Sequence, residues 1–214
     1  MKINPIYTIR QLAANEEIDY IFLISCLQNY AAPRDIITRL LKNKDLIRVK
    51  KGIYVFGDLH RHRLISLEVL ANLIYGPSYV SCEYALHYYG LIPESPKEIT
   101  SMTMKRNKIF KTPLGVFSYN YLNVNEFHLG VDFIRFSDTH GALIATKEKA
   151  LIDYLYVKEK TNQLNTKELL KILLDDYRID PADLKTLDIN LLQEIWKQSN
   201  SKVITLLINI IQNL

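Results

Sequence analysis

The sequence predicts an α+β protein in three consecutive parts: helices running into a hairpin, a mixed α/β stretch, and a helical tail. Three observations carry this reading. Apolar residues recur with helical spacing over residues 33–43 and then alternate as in a strand over 47–56. Turn-bounded, β-rich runs occupy 99–105, 115–122 and 131–136. From residue 161 onward the apolar spacing is helical.

In the first part, residues 8–14 read as a short helix. Residues 18–30 read as a second, buried on most sides through Ile18, Ile21, Phe22, Ile24 and Leu27. A third helix starts at Pro33, whose missing N–H costs nothing in a first turn. At 100° per residue, Ile36, Ile37, Leu40 and Leu41 fall within one arc. Arg34, Asp35, Thr38, Arg39 and Lys42 fill the other. Ile47 and Val49 then alternate with Arg48 and Lys50, Lys51–Gly52 makes a turn, and Ile53–Tyr54–Val55–Phe56 returns as a second strand. Three helices followed by a basic hairpin have the pattern of a winged helix-turn-helix. In that motif the third helix enters the major groove and the hairpin lies along the neighbouring backbone. An ordinary helix–hairpin unit with a solvated charged face has the same local pattern.

Charge favours the nucleic-acid reading. The chain of 214 residues has a net charge of only +4. Between Pro33 and Lys51, however, stand seven cations (Arg34, Arg39, Lys42, Lys44, Arg48, Lys50, Lys51) against Asp35 and Asp45. The whole positive excess therefore lies in this segment, as an electrostatic footprint requires. Arg34, Thr38, Arg39 and Lys42 are the candidates for the major groove, and Arg48, Lys50 and Lys51 for phosphate contacts.

Cys26 and Cys82 lie in apolar helical surroundings without metal-ligand spacing, so reduced, buried thiols are expected. The N-terminus lacks the apolar core of a signal peptide. Residues 203–214 are strongly apolar but fall short of the roughly 20 residues of a membrane span. A cytoplasmic location with no membrane partner is the expectation.

In the second part, residues 61–76 have helical spacing and stop at Gly76–Pro77. Ser81 can cap a helix through Tyr89, and after the three β-rich runs Thr146 opens a further helix. The tail reads as helices near 166–175, 181–186, 188–198 and 201–213.

Other candidate chemistry has plain alternatives. His60 and His62 could share one side of an extended segment, but the neighbouring residues do not complete a four-ligand metal set. His87 lies on an apolar helix and reads as a core or interface histidine. Glu148, Lys149 and Asp153 form the best catalytic-looking cluster. Yet a first-turn carboxylate and an i,i+4 pair also stabilise a helix without doing chemistry. Asp183–Leu184–Lys185 lacks an acidic partner, and no Gly-rich phosphate loop is present. Tyr84, Tyr88 and Tyr89 on one helix, and Tyr119 and Tyr121 on one strand, suit core packing, an interface or base stacking. No catalytic residue, cofactor or metal is expected.

The middle of the chain carries a resemblance. Tyr79–Val80–Ser81, Ala85–Leu86 and Gly90–Leu91–Ile92–Pro93–Glu94 resemble the motif of the AbiE-type antitoxins, predicted transcriptional regulators of viral-defence operons. Ile99–Thr100, Thr103, Gly115, Ile144–Ala145–Thr146, Glu148–Lys149–Ala150 and Asp153 continue it, and Lys51–Gly52–Ile53–Tyr54–Val55 is similar to the end of the family's wing. The likeness covers about residues 20–157; Lys147 departs from it, standing where a helix-starting Pro is expected. The resemblance implies a repressor that binds inverted repeats in its own promoter. It also implies a type IV antitoxin that counters a nucleotidyltransferase-like toxin without forming a stable complex. The expected architecture is an N-terminal winged helix-turn-helix (1–59), a mixed α/β domain (60–160) and a helical C-terminal tail (161–214). A monomer or weak dimer is expected. The alternatives are a nuclease-like enzyme using Glu148, Lys149 and Asp153, an orphan regulator without a toxin, or a module that meets an acidic protein.

Overall fold

In the computed structural model, which describes residues 4–159 and 164–214, the chain is a mixed α+β protein with two sheets. It opens with α1 (Pro5–Leu12), which Asn4 caps by accepting from the Ile6 N–H. Strand β1 (Glu17–Asp19) follows and leads into α2 (Tyr20–Cys26), capped by Asp19, whose carboxylate accepts from the Phe22 N–H. The continuous helix expected over 18–30 is thus preceded by a three-residue strand and ends at Cys26. Helix α3 (Pro33–Lys42) and the hairpin β2 (Leu46–Lys50) and β3 (Ile53–Phe56) complete the unit. Both partners of β3 are antiparallel, and the strand order is β1-β3-β2.

The second sheet has six strands: β4 (Ser78–Val80), β5 (Glu98–Thr103), β6 (Lys108–Thr112), β7 (Gly115–Tyr121), β8 (Val131–Ser137) and β9 (His140–Ala145). Their order is β6-β7-β5-β4-β9-β8. β5–β7 and β4–β9 are parallel, and the other pairs are antiparallel. Helices α4 (Leu67–Ile74), α5 (Cys82–Tyr88) and α6 (Lys147–Lys158) pack with this sheet. The long helix expected from residue 61 begins only at Leu67, where Ser66 accepts from the Val69 N–H. Thr146 caps α6 as expected, accepting from the Lys149 N–H. The tail is α7 (Thr166–Lys171) with a π-helical turn at Ile172–Asp176, then α8 (Pro181–Leu184), α9 (Ile189–Ser199) and α10 (Lys202–Asn213). Among the described residues, no helix is long and apolar enough to cross a membrane. The apolar 203–214 segment instead buries Val203, Ile204, Leu207, Ile210 and Ile211.

Two apolar clusters organise the protein. The smaller joins Ile6, Ile9, Leu23, Ile37, Leu40, Tyr54 and Phe56. The larger runs through the six-stranded sheet and the tail helices and includes Val49 and Val55. The small sheet therefore stands between the two, because alternate residues of β3 face opposite ways. Buried carboxylates brace the seam. Glu16 pairs with Arg10 at 2.7 Å and accepts the backbone N–H groups of His62 and Arg63. Glu17 accepts from the Ser66 N–H at 3.1 Å and lies 2.8 Å from the His140 ring.

Candidate nucleic-acid interface

Helix α3 is fixed by one face and open on the other. Ile36, Ile37 and Leu40 are buried, whereas Arg34, Asp35, Thr38, Arg39 and Lys42 are exposed. Among the described residues, Arg34, Arg39 and Lys42 form no ion pair. The Thr38 hydroxyl donates to the Arg34 carbonyl at 3.0 Å, and its oxygen can still accept.

The end of α3 is locked to the hairpin by backbone geometry. Asp45 N–H donates to the Leu40 carbonyl at 2.9 Å, and Lys44 N–H to that of Leu41 at 3.2 Å. This is a Schellman motif, with Lys44 at φ 63 in the left-handed position that glycine usually takes. Gly57, just past β3, donates its N–H to the Asp45 carbonyl at 2.9 Å. A Cβ on Gly57 would stand 1.9 Å from the Lys44 carbonyl oxygen, so only glycine allows this approach.

At the hairpin tip Gly52 takes φ 90, and Lys51 beside it is exposed, as is Arg48 on β2. Lys50 does not join them. Arg48 pairs with Tyr54 and Lys50 with Ile53, so Val49 is an extra residue, a β-bulge. Strict alternation would place Lys50 on the face of Arg48; the bulge re-aims it towards the larger cluster. Its ammonium donates to the Ile74 carbonyl at 2.6 Å and lies 4.9 Å from the Phe110 ring centre. Burial, with Lys108 and Lys105 nearby, lowers its pKa. Six of the seven residues selected from the sequence are thus exposed on α3 and the hairpin, and the seventh is at the seam. Lys44 is a further exposed cation between them. The charge count had included it, but periodicity assigned it no face.

The catalytic-looking trio is built into the core. Lys149 and Asp153 pair at 2.7 Å, each side chain 1% exposed. Asp153 also accepts from the Tyr79 hydroxyl at 2.9 Å and the Ser81 hydroxyl at 2.7 Å. Glu148 accepts the Asp188 N–H at 2.9 Å, tying α6 to the start of α9. These contacts give each of the three a structural task. His60 faces Asp45 at 2.9 Å, while His62 is exposed. Among the described residues, no group of three or more His, Cys, Asp or Glu side chains is placed to hold a metal ion. Cys26 and Cys82 are free and buried.

The chain matches no protein-family model and no curated protein.

Proposed function

We propose that residues 5–56 are a winged helix-turn-helix and that the protein is a DNA-binding transcriptional repressor. One observation supports this above all. The order α1-β1-α2-α3-β2-β3, with strands paired β1-β3-β2, holds α3 by its apolar face and leaves a basic face, without ion pairs among the described residues, beside a basic hairpin tip. A helix about 10–12 Å across with its side chains fits a major groove about 12 Å wide. Arg34 and Arg39 are the candidates for guanine, since a guanidinium can meet O6 and N7 together. Arg48 and Lys51 contact phosphates and set the register.

The AbiE-type resemblance extends the reading to an antitoxin of a type IV system in the cytoplasm. It would repress its own promoter and counter a nucleotidyltransferase-like toxin, with no stable complex between them and no catalytic step of its own.

Fluorescence anisotropy with the fragment upstream of the protein's own gene tests the repressor. Arg34→Ala or Arg39→Ala should cost about 1–3 kcal/mol of binding and relax specificity at one base pair. Equal affinity of the wild type for the promoter and for random duplex, with no loss in either variant, refutes it. Co-expression with a neighbouring nucleotidyltransferase-like reading frame tests the antitoxin. Failure to rescue growth leaves an orphan regulator.

A further inference from the structure

A second basic surface lies beside the hairpin, built by residues distant in sequence. From Ile99 to Leu114 the chain holds four cations (Lys105, Arg106, Lys108, Lys111) and no acid, and all four are exposed. Lys105 and Arg106 lie between β5 and β6, and Lys108 opens β6, an edge strand. Lys108 shares the face of Phe110, and its ammonium lies 5.6 Å from the Tyr75 ring centre and 5.1 Å from that of Phe110. Lys105 lies 5.3 Å from Tyr75. Lys50 reaches the same Phe110 ring from the hairpin, so the two surfaces meet there. A shallow cavity of about 640 Å³, lined by Tyr75, Met104, Lys105, Arg106, Asn107 and Tyr121, opens on this side.

Of the cations gathered round the Tyr75 and Phe110 rings, Lys50 and Lys105 have a local explanation. Lys50 donates to the Ile74 carbonyl and Lys105 to that of Gly76 at 2.5 Å, both at the negative end of α4. Arg106 and Lys108 have no such carbonyl and, among the described residues, no ion pair. Like charges gathered without a counter-charge repel, and a polyanion relieves that repulsion.

We propose that Arg106 and Lys108, aligned by Lys105 and the Tyr75–Phe110 pair, form a second phosphate-contact site that extends the duplex footprint from the hairpin onto the six-stranded sheet. This rests on the DNA-binding reading of α3. The rings are already covered by ammonium groups, so the surface suits a phosphate backbone better than stacked bases. Lys111 lies on the opposite face of β6, one residue out of phase, and serves as the control.

The test is anisotropy titration of the full chain against random-sequence duplex of about 30 base pairs, roughly three helical turns, over a salt series. Arg106→Gln/Lys108→Gln should flatten the slope of log affinity against log salt by about 2 and weaken binding roughly tenfold. Lys111→Gln should leave both unchanged, and the double variant should unfold at close to the wild-type temperature, because relief of repulsion offsets the lost contact of Lys108 with the Tyr75 and Phe110 rings. Three results overturn the site: an unchanged slope in the double variant, an equal loss with Lys111→Gln, or a wild type that prefers single strands. Arg34→Gln/Arg39→Gln, measured alongside, separates the two ideas. If it loses binding while Arg106→Gln/Lys108→Gln does not, the second site fails and the α3 reading stands. The reverse pattern sustains the second site and assigns non-specific binding to it, with base reading by α3 decided by the promoter titration. A wild type that binds no duplex refutes both.

Discussion

Replacing Gly57 by alanine tests whether the end of α3 and the end of the hairpin form one rigid unit. The new methyl would stand 1.9 Å from the Lys44 carbonyl oxygen, 3.0 Å from its carbon and 3.2 Å from the Asp45 oxygen. All three are backbone atoms, so no rotamer change relieves the overlap. Separating the strands would also lengthen the 2.9 Å bond from Gly57 N–H to Asp45. Overpacking of this kind costs about 1–3 kcal/mol, and the strained hydrogen bond adds about 1. Against this, alanine restricts the unfolded chain and returns about 0.4–1 kcal/mol. The net expectation is a loss of about 1–3.6 kcal/mol from a total near 5–15. Urea denaturation measures it, with an unchanged slope if only the native state is affected. Gly52→Ala is the comparison: nothing lies within 4 Å of its added Cβ, and only the positive φ of 90 is strained, so about 1 kcal/mol is expected. A loss below about 0.5 kcal/mol for Gly57→Ala would mean that backbone contact does not brace α3 against the hairpin.

Lys50→Met should lower stability by about 1 kcal/mol and leave the salt dependence of DNA binding unchanged, whereas Lys51→Ala should reduce that slope by about 1. Equal slopes for the two variants would contradict the re-aiming by the bulge. Asp153→Asn strands the Lys149 ammonium in the core and should cost about 3–5 kcal/mol, while Lys149→Met/Asp153→Asn should restore part of it, the amide oxygen still accepting from the Tyr79 and Ser81 hydroxyls. A double-mutant cycle without coupling would refute the pair's role. Alkaline stability follows from the tyrosines. Burial, with Asp132 and Tyr88 close by, pushes Tyr89 up to about 12, and burial is also the main cause raising Tyr79, Tyr84, Tyr119, Tyr154 and Tyr177. A raised folded pKa favours the protonated form, so this contribution is complete below about 10, the unfolded value, and is lost as pH climbs through the folded one. Unfolding free energy that stays flat across that window would contradict it.

The legible elements are those whose information is local. Pro33 and the spacing of Ile36, Ile37 and Leu40 gave α3, and Thr146 marked the start of α6, because capping and periodicity act within a few residues. Of the four strands missed in the sequence, β1 and β4 are three residues long, β6 is polar, and β9, HGALIA, is a brief apolar run that periodicity alone does not assign. β1 is three residues whose partner, β3, lies more than thirty positions away. β6, with the sequence KIFKT, sits at a sheet edge, where one ladder suffices and apolar alternation is not required. The helix read from residue 61 starts at Leu67 because Ser66 supplies the cap there and Glu17, distant in sequence, takes the Ser66 N–H that a longer helix would bond internally.

The sequence alone determined that a basic amphipathic helix precedes a basic hairpin, and that this segment holds the net positive charge. Tertiary structure decided which cations face outward. A single extra residue at Val49 reverses the one side chain that follows it in β2, so Lys50 crosses to the larger core, where α4 supplies a carbonyl for it. The gathering of Lys105, Arg106 and Lys108 beside the hairpin was equally illegible. It depends on an edge strand docking against a helix terminus some thirty residues earlier, and charge patterning along one chain records no such proximity.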